Sequence, residues 1–228
     1  GANLFSRDEI SAVKGANFEG ASMGGIDFAG QDLSEANFRR ANFKDANLKD
    51  ARLDGVNFTG ANFERANMEG VSARGAVFTN ANFKRANLND GIFVGTNFDG
   101  ADFKSADIKA ANLAGANLVN ALLKDANVKD SNFKNANLTG ANLTESYCRG
   151  TNFKEANLEH TNFKDADLGA ANLESAKMLG SQLKDATLRD ANFKGVDISV
   201  AKLEGVDMEG VRNLEKQSFQ AYKSGLGK

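Results

Sequence analysis

From Ala16 to Gly210 the chain repeats one five-residue phrase without insertion or deletion: a small residue, Asn or Asp, an apolar residue, then two variable positions. Ala36-Asn37-Phe38-Arg39-Arg40, followed at once by Ala41-Asn42-Phe43-Lys44-Asp45, shows the pattern. If the apolar residue is called the centre, centres fall at 18, 23, 28 and every fifth position to 208; all 39 are apolar, and Ala73 and Cys148 are the small ones. The residue two before the centre is Ala, Gly, Ser, Thr or Val in 37 of the 39, with Ile26 and Gln31 as exceptions. A period of five smears apolar residues around a helix, which repeats near 3.6, and across both faces of a strand, which repeats at 2. It suits a short extended piece followed by a corner. In that piece the small residue and the centre point to one side, and the Asn or Asp between them points to the other.

The corner carries its own signal. The second residue after the centre is Gly in 16 phrases and Asn or Asp in 11 more, the types that tolerate positive φ at the third position of a type II turn. A chain turning the same way every five residues closes a four-cornered coil after roughly twenty, and the next coil stacks on it at about 4.8 Å. The phrases therefore predict nearly ten coils and a rod of roughly 47 Å. Residues twenty apart share a face: Phe18, Phe38, Phe58, Phe78 and Phe98 line the first, before Leu118 and later aliphatics, and Met23, Phe43, Phe63, Phe83 and Phe103 begin the second. Fifteen of the 17 Phe are centres, so aromatic side chains are committed to the core rather than to ligand stacking. Each buried centre contributes ~1.5 to 3 kcal/mol before entropy is subtracted.

The phrase A-(N/D)-(L/F)-x-x, present in Ala61-Asn62-Phe63, Ala86-Asn87-Leu88, Ala141-Asn142-Leu143 and Ala171-Asn172-Leu173, resembles the repeat of the pentapeptide-repeat family. The resemblance implies an all-β solenoid, a right-handed quadrilateral parallel β-helix. With the count above it would have about ten coils, and short α-helices are expected to cap both ends. The expected organisation is a capping segment over 1–15, the β-helix over 16–210 and a capping helix with tail over 211–228.

The ends and irregularities yield further expectations. Ser6-Arg7-Asp8-Glu9 reads as a capping box opening a helix to about Lys14, and Asn213 as the N-cap of a helix from Leu214 to about Ser224. Such lids would cover an open solenoid end. Ile26 and Gln31, inward where small residues are wanted, predict a distorted first coil. Ala73, between Leu53 and Phe93 on the fourth face, predicts either a void or a Phe93 ring leaning into the gap.

Composition narrows the chemistry. A formal charge of -2, from 28 basic and 30 acidic side chains, argues neither for bulk attraction to nucleic acid nor for an acidic mimic. Pro is absent, as ladders that need every N–H require. One cysteine, at a centre, reads as a buried inert thiol, and the one histidine, His160, as a solvated corner. No catalytic, cofactor-binding or metal-binding residue is assigned, and no enzyme activity is expected. No apolar run reaches the ~18 residues of a membrane span, so a soluble protein is expected. The initial Gly leaves room for a removed tag or targeting segment.

The outer surface remains. After each centre the second face carries Lys44, Lys84, Lys104, Lys124, Lys164 and Lys184, and the third Lys49, Lys109, Lys129, Arg149 and Arg189, with carboxylates such as Asp45, Asp125 and Asp130 beside them. Interleaved charge that relieves stacking of like charges ranks above a nucleic-acid site. The other two faces are weakly charged, and Thr59, Thr79, Val94, Val119, Thr139 and Leu179 make a candidate docking or self-association face. The leading reading is a non-enzymatic scaffold that binds a protein partner, or a second copy as a homodimer. The resemblance also implies an alternative, a DNA mimic that binds and protects DNA gyrase. It ranks second because Asn outnumbers Asp 21 to 7 at the outward position. Plain family members of this type imply a cyanobacterial or plastid-like setting, such as the thylakoid lumen.

Overall fold

The computed structural model describes residues 15–215. Along this span the residue before a centre bridges, in parallel, the residue twenty positions on, from Asn17↔Asn37 to Asn192↔Arg212, with one gap near the far end. One phrase shows the hydrogen bonds. Phe58 N–H donates to the Val77 carbonyl at 2.7 Å, Val77 N–H to Val56 at 2.9 Å, and Gly60 N–H to Thr79 at 2.8 Å. Ala61 N–H then closes the corner onto the Phe58 carbonyl at 2.9 Å. The bridges stay single because a corner interrupts the extended piece every fifth residue, so no continuous strand forms. Four such corners complete each twenty-residue circuit.

Every fifth residue from Gly15 to Gly210 has positive φ, with Val200 the one exception. The sequence marks the Gly, Asn and Asp corners. Glu35, Arg40, Arg65, Arg85, Ser105, Ala110, Glu145, Glu155, His160, Ala170 and Ser175 adopt the same conformation without that mark. An L-residue there costs about 1 to 2 kcal/mol, a cost that the inter-coil bonds offset. Val200 is the only β-branched corner residue, and its second Cγ makes a left-handed backbone a true outlier. The ladder slips at that place. No bridge joins Lys177 to Asp197 among the described residues, and Gly180 N–H bonds the carbonyl of Val200 itself, at 2.9 Å.

All centres from Met23 to Ile198 are buried. On the first face Phe58 and Phe78 stack at 4.9 Å between ring centroids, with planes 4° apart, and on the second Phe83 and Phe103 stack at 4.7 Å. Where the two columns meet they pack edge to face, as in Phe58 against Phe63 at 5.1 Å and 73°, the geometry the ring quadrupole favours. Hydroxyls in the small slot are satisfied by backbone carbonyls, those of the preceding coil for Thr96 Oγ1 to Ala73 at 2.7 Å and Thr161 Oγ1 to Leu138 at 2.8 Å, and of the same coil for Ser146 to Leu143 at 2.7 Å. Phe93 lies over its own backbone, since a Cβ on Gly91 would stand 2.5 Å from the ring.

The expected distortion of the first coil is not found. Asp27 and Asp32 make their bridges to Asn47 and Arg52, Ile26 is buried, and Gln31 is half-buried with its N–H bonded to Phe28 and its carbonyl to Arg52. At the edge of the rod Gln31 keeps contact with solvent, so its amide has water where an interior coil would leave it stranded. The far end continues to Arg212, and Leu214 packs partly buried on the core. The two expected capping helices fall on 7–14 and 214–224, which, apart from Leu214 and Glu215, lie outside the described residues.

Two substitutions test this account. Val200→Gly removes the β-branched side chain from the corner and is expected to raise stability by about 1 kcal/mol, read as a higher Tm and slower amide exchange around Met178; a lower Tm would contradict the cause given for the slip. Phe98→Ala empties the middle of the aromatic stack and should cost about 3 to 5 kcal/mol.

Candidate interaction surface

The outward slot is a half-buried polar ladder. Asn62 Oδ1 accepts the Glu64 N–H at 3.1 Å and the Asn82 Nδ2 at 2.9 Å, while its own Nδ2 donates to Asn42 at 3.0 Å. Each side chain thus braces its own corner and ties it to the neighbouring coils. On the fourth face the column runs unbroken through Asn112, Asn132, Asn152, Asn172 and Asn192. The sequence shows these residues pointing away from the core; the amide chain follows only once residues twenty apart are superposed.

Charge on the outer faces is neutralised mainly between coils rather than beside each centre. Lys44 pairs with Glu64 at 3.3 Å, Lys49 with Glu69 at 2.8 Å and Lys184 with Glu204 at 3.2 Å. Glu174 sits between Lys154 at 3.2 Å and Lys194 at 3.3 Å, which hold its carboxyl below the usual range. Arg65 grips Asp45 with a two-pronged contact, Nε to Oδ1 at 2.6 Å and Nη2 to Oδ2 at 2.7 Å, lowering the pKa of Asp45. These groups lie at the surface, where solvent screens each pair and leaves it little weight in stability. Their main effect is to cancel the columns of like charge that stacking would otherwise create.

The sequence-derived docking residues fall into one column and one outlier. Thr59, Thr79, Val119, Thr139 and Leu179 follow the first face, and Val94 stands on the fourth, across the corner between them. All are half-buried except Leu179, which is 51% exposed. The hydroxyls of Thr59 and Thr139 are committed to Asn57 and Asn137, each at 2.7 Å, so these threonines present methyl groups. Val200, whose carbonyl accepts the Gly180 N–H, is also exposed and adds apolar surface. Two further exposed apolar residues, Leu122 and Tyr147, lie off the positions that follow the centres. Both occupy the outward slot, and the signal was their departure from Asn.

Reactive side chains are few. Cys148 Sγ is buried, 3.1 Å from Ser146 Oγ, and burial pushes its thiol up to about 12. His160 stands exposed at a corner with φ 58°. Among the described residues no His, Cys, Asp or Glu cluster has a geometry that could hold a metal ion, and no helix is long and apolar enough to cross a membrane.

Family models of pentapeptide repeats match residues 14–50, 41–80, 131–169 and 166–210, and a model of the pentapeptide repeat region matches 66–143. No curated protein sequence matches the chain. Among solved structures it is similar to HetL, a pentapeptide repeat protein involved in heterocyst differentiation regulation from the cyanobacterium Nostoc sp. strain PCC 7120. That likeness has 21% identity, covers 91% of this chain and 94% of HetL, and has a TM-score of 0.53. Rfr23, a pentapeptide repeat protein from the cyanobacterium Cyanothece 51142, matches at 30% identity over 42% of this chain and 58% of its own, with a TM-score of 0.36. Full-length QnrB1, a plasmid-mediated fluoroquinolone resistance protein, matches at 19% identity over 93% and 98%, with a TM-score of 0.35. The likeness to HetL shows a shared fold, the right-handed β-helix.

The burial of Cys148 has a direct readout. In the folded protein its thiol should not react with a disulfide reagent at pH 8, and it should react fully once the chain is unfolded in guanidinium. Rapid labelling of the native rod would contradict the buried placement.

Proposed function

Because the chain belongs to the pentapeptide-repeat family, we propose that it is a non-enzymatic scaffold, a rigid rod of about ten coils whose outer faces dock a protein partner. The observation that carries this reading is the closed interior: centres from Met23 to Ile198 are buried and the small slots are filled by alanines and by hydroxyls bonded to backbone. A partner therefore meets only outward side chains and corners. The first face, with Val94 beside it, is the proposed contact, since its column presents methyl groups and Leu179, interrupted by Asp99 and Glu159.

The DNA-mimic alternative, with gyrase as target, is the weaker proposal. A mimic needs an uncompensated acidic surface along its length, whereas here Glu64, Glu69, Glu174 and Glu204 are each paired with a lysine.

A double variant, Val119→Lys with Leu179→Lys, tests the docking face while leaving every centre in place. It is expected to keep the wild-type Tm and to lose the complex captured by wild-type rod from the native source, or the dimer seen by light scattering. A complex or dimer that survives both changes removes this face as the contact.

A further inference from the structure

The ladder on the first face changes character at one place. Between the coil of Leu158 and the coil of Met178 it is complete: Leu158 N–H donates to Lys177 at 2.8 Å, Lys177 N–H to Ala156 at 3.0 Å and His160 N–H to Leu179 at 2.8 Å. One coil further on, a single bond stands in the same positions. Gly180 N–H reaches the Val200 carbonyl at 2.9 Å, one residue past Ser199, its partner by the repeat. Among the described residues Met178 N–H and Asp197 N–H have no acceptor, and the Ala176 carbonyl receives no donor. Met178 is only 2% exposed, so water does little to replace what its amide has lost.

The displaced segment is short and held at both ends. Before it, Val196 N–H bonds Phe193 at 3.0 Å; after it, Lys202 N–H bonds Ser181 at 2.9 Å and Leu183 N–H bonds Lys202 at 2.8 Å. Residues 197–200 keep a turn of their own between these anchors. Ala201 N–H closes onto Ile198 at 3.1 Å, and Asp197 Oδ1 takes the Ser199 N–H at 3.0 Å and the Ser199 hydroxyl at 2.6 Å. The turn is fastened to the coil beneath through the Gly180 bond and the buried Ile198 side chain.

The repeat offers this turn a second seat. If Val200 takes the positive φ of the other corners, the peptide between Ser199 and Val200 turns over, as between turns of type I and type II. Ser199 C=O then accepts the Gly180 N–H, and Asp197 accepts from Met178 and donates to Ala176, the pattern of Lys177 one coil earlier. The second seat gains two backbone bonds and gives up none, at the cost of a left-handed conformation in a β-branched residue. Those opposing effects are of the same order. Corners without a second Cγ settle in register; at Val200 the two arrangements lie close in energy.

We propose that residues 197–200 are a two-position strap, exchanging between the slipped seat and an in-register seat in which Asp197 bridges Lys177. Ser199 stands on the first face and Val200 on the corner beside it, so the two seats offer a partner different surfaces at one place. A ligand that binds one seat better draws the strap to it. The exchange is a property of the backbone and stands even if the first face docks nothing.

Relaxation dispersion and saturation transfer on the amide nitrogens of the intact protein read such exchange directly. Exchange is expected at Met178, Gly180 and residues 197–201, and not at Leu158 or His160, whose bonds are complete. Val200→Gly should leave the in-register seat dominant and abolish it. The same variant should raise protection of the Met178 amide against hydrogen exchange by roughly five- to tenfold, the ratio to which the net worth of one backbone hydrogen bond corresponds. Val200→Ala, a residue that accepts the corner at Ala110 and Ala170, should shift the strap the same way. Absence of exchange at these amides in the wild type overturns the proposal, as does a Met178 amide already as protected as that of Leu158. It is overturned equally if Val200→Gly leaves both measurements where they were.

Discussion

The spacing between successive coils governs this molecule. It is set by backbone bonds such as Phe58 N–H to Val77 C=O at 2.7 Å, and every other column on the rod must accept the same repeat of about 4.8 Å. Phenyl rings meet it by stacking nearly parallel, Phe43 on Phe63 at 5.0 Å and 5°. Asparagines meet it by passing one amide hydrogen to the carbonyl below, as Asn82 does to Asn62. Lysine and glutamate meet it by alternating, as Lys49 and Glu69 do. One distance thus selects aromatic, amide and ionic ladders together.

The corner is the second constraint, and it is stricter in conformation than in composition. Charged and small residues such as Arg40, Glu155 and Ala170 accept positive φ, since the three inter-coil bonds of each phrase outweigh a local cost of one or two kcal/mol. Valine does not accept it, and at Val200 the ladder yields instead. At the slip Val200 is exposed, so a backbone constraint becomes a surface feature.

A protein whose interior is closed and whose ladders are satisfied can act only through departures from its own repeat. The first face departs by its run of Thr59, Thr79, Val119, Thr139 and Leu179, with threonine hydroxyls turned back onto Asn57 and Asn137. The corner near Leu122 and Tyr147 departs by exposing large apolar side chains where the repeat places asparagine. Family membership, shown by matches across residues 14–210, explains the repeat and is silent on these departures, which belong to this chain.

The register, the identity of the inward residues and the small slots were legible in the sequence, because a strict period of five with apolar centres admits one kind of folding: extended piece, corner, return. Superposition decided the rest. Whether Lys44 finds Asp45 or Glu64, whether Asn62 faces water or another amide, and whether Gln31 is stranded or half-solvated depend on which residue lies one coil away and how near the end of the rod it sits. Those relations span twenty residues, and local pattern carries no distance between side chains that far apart. The sequence determined what lies inside, and only the stacking of one circuit on the next determined what the outside offers.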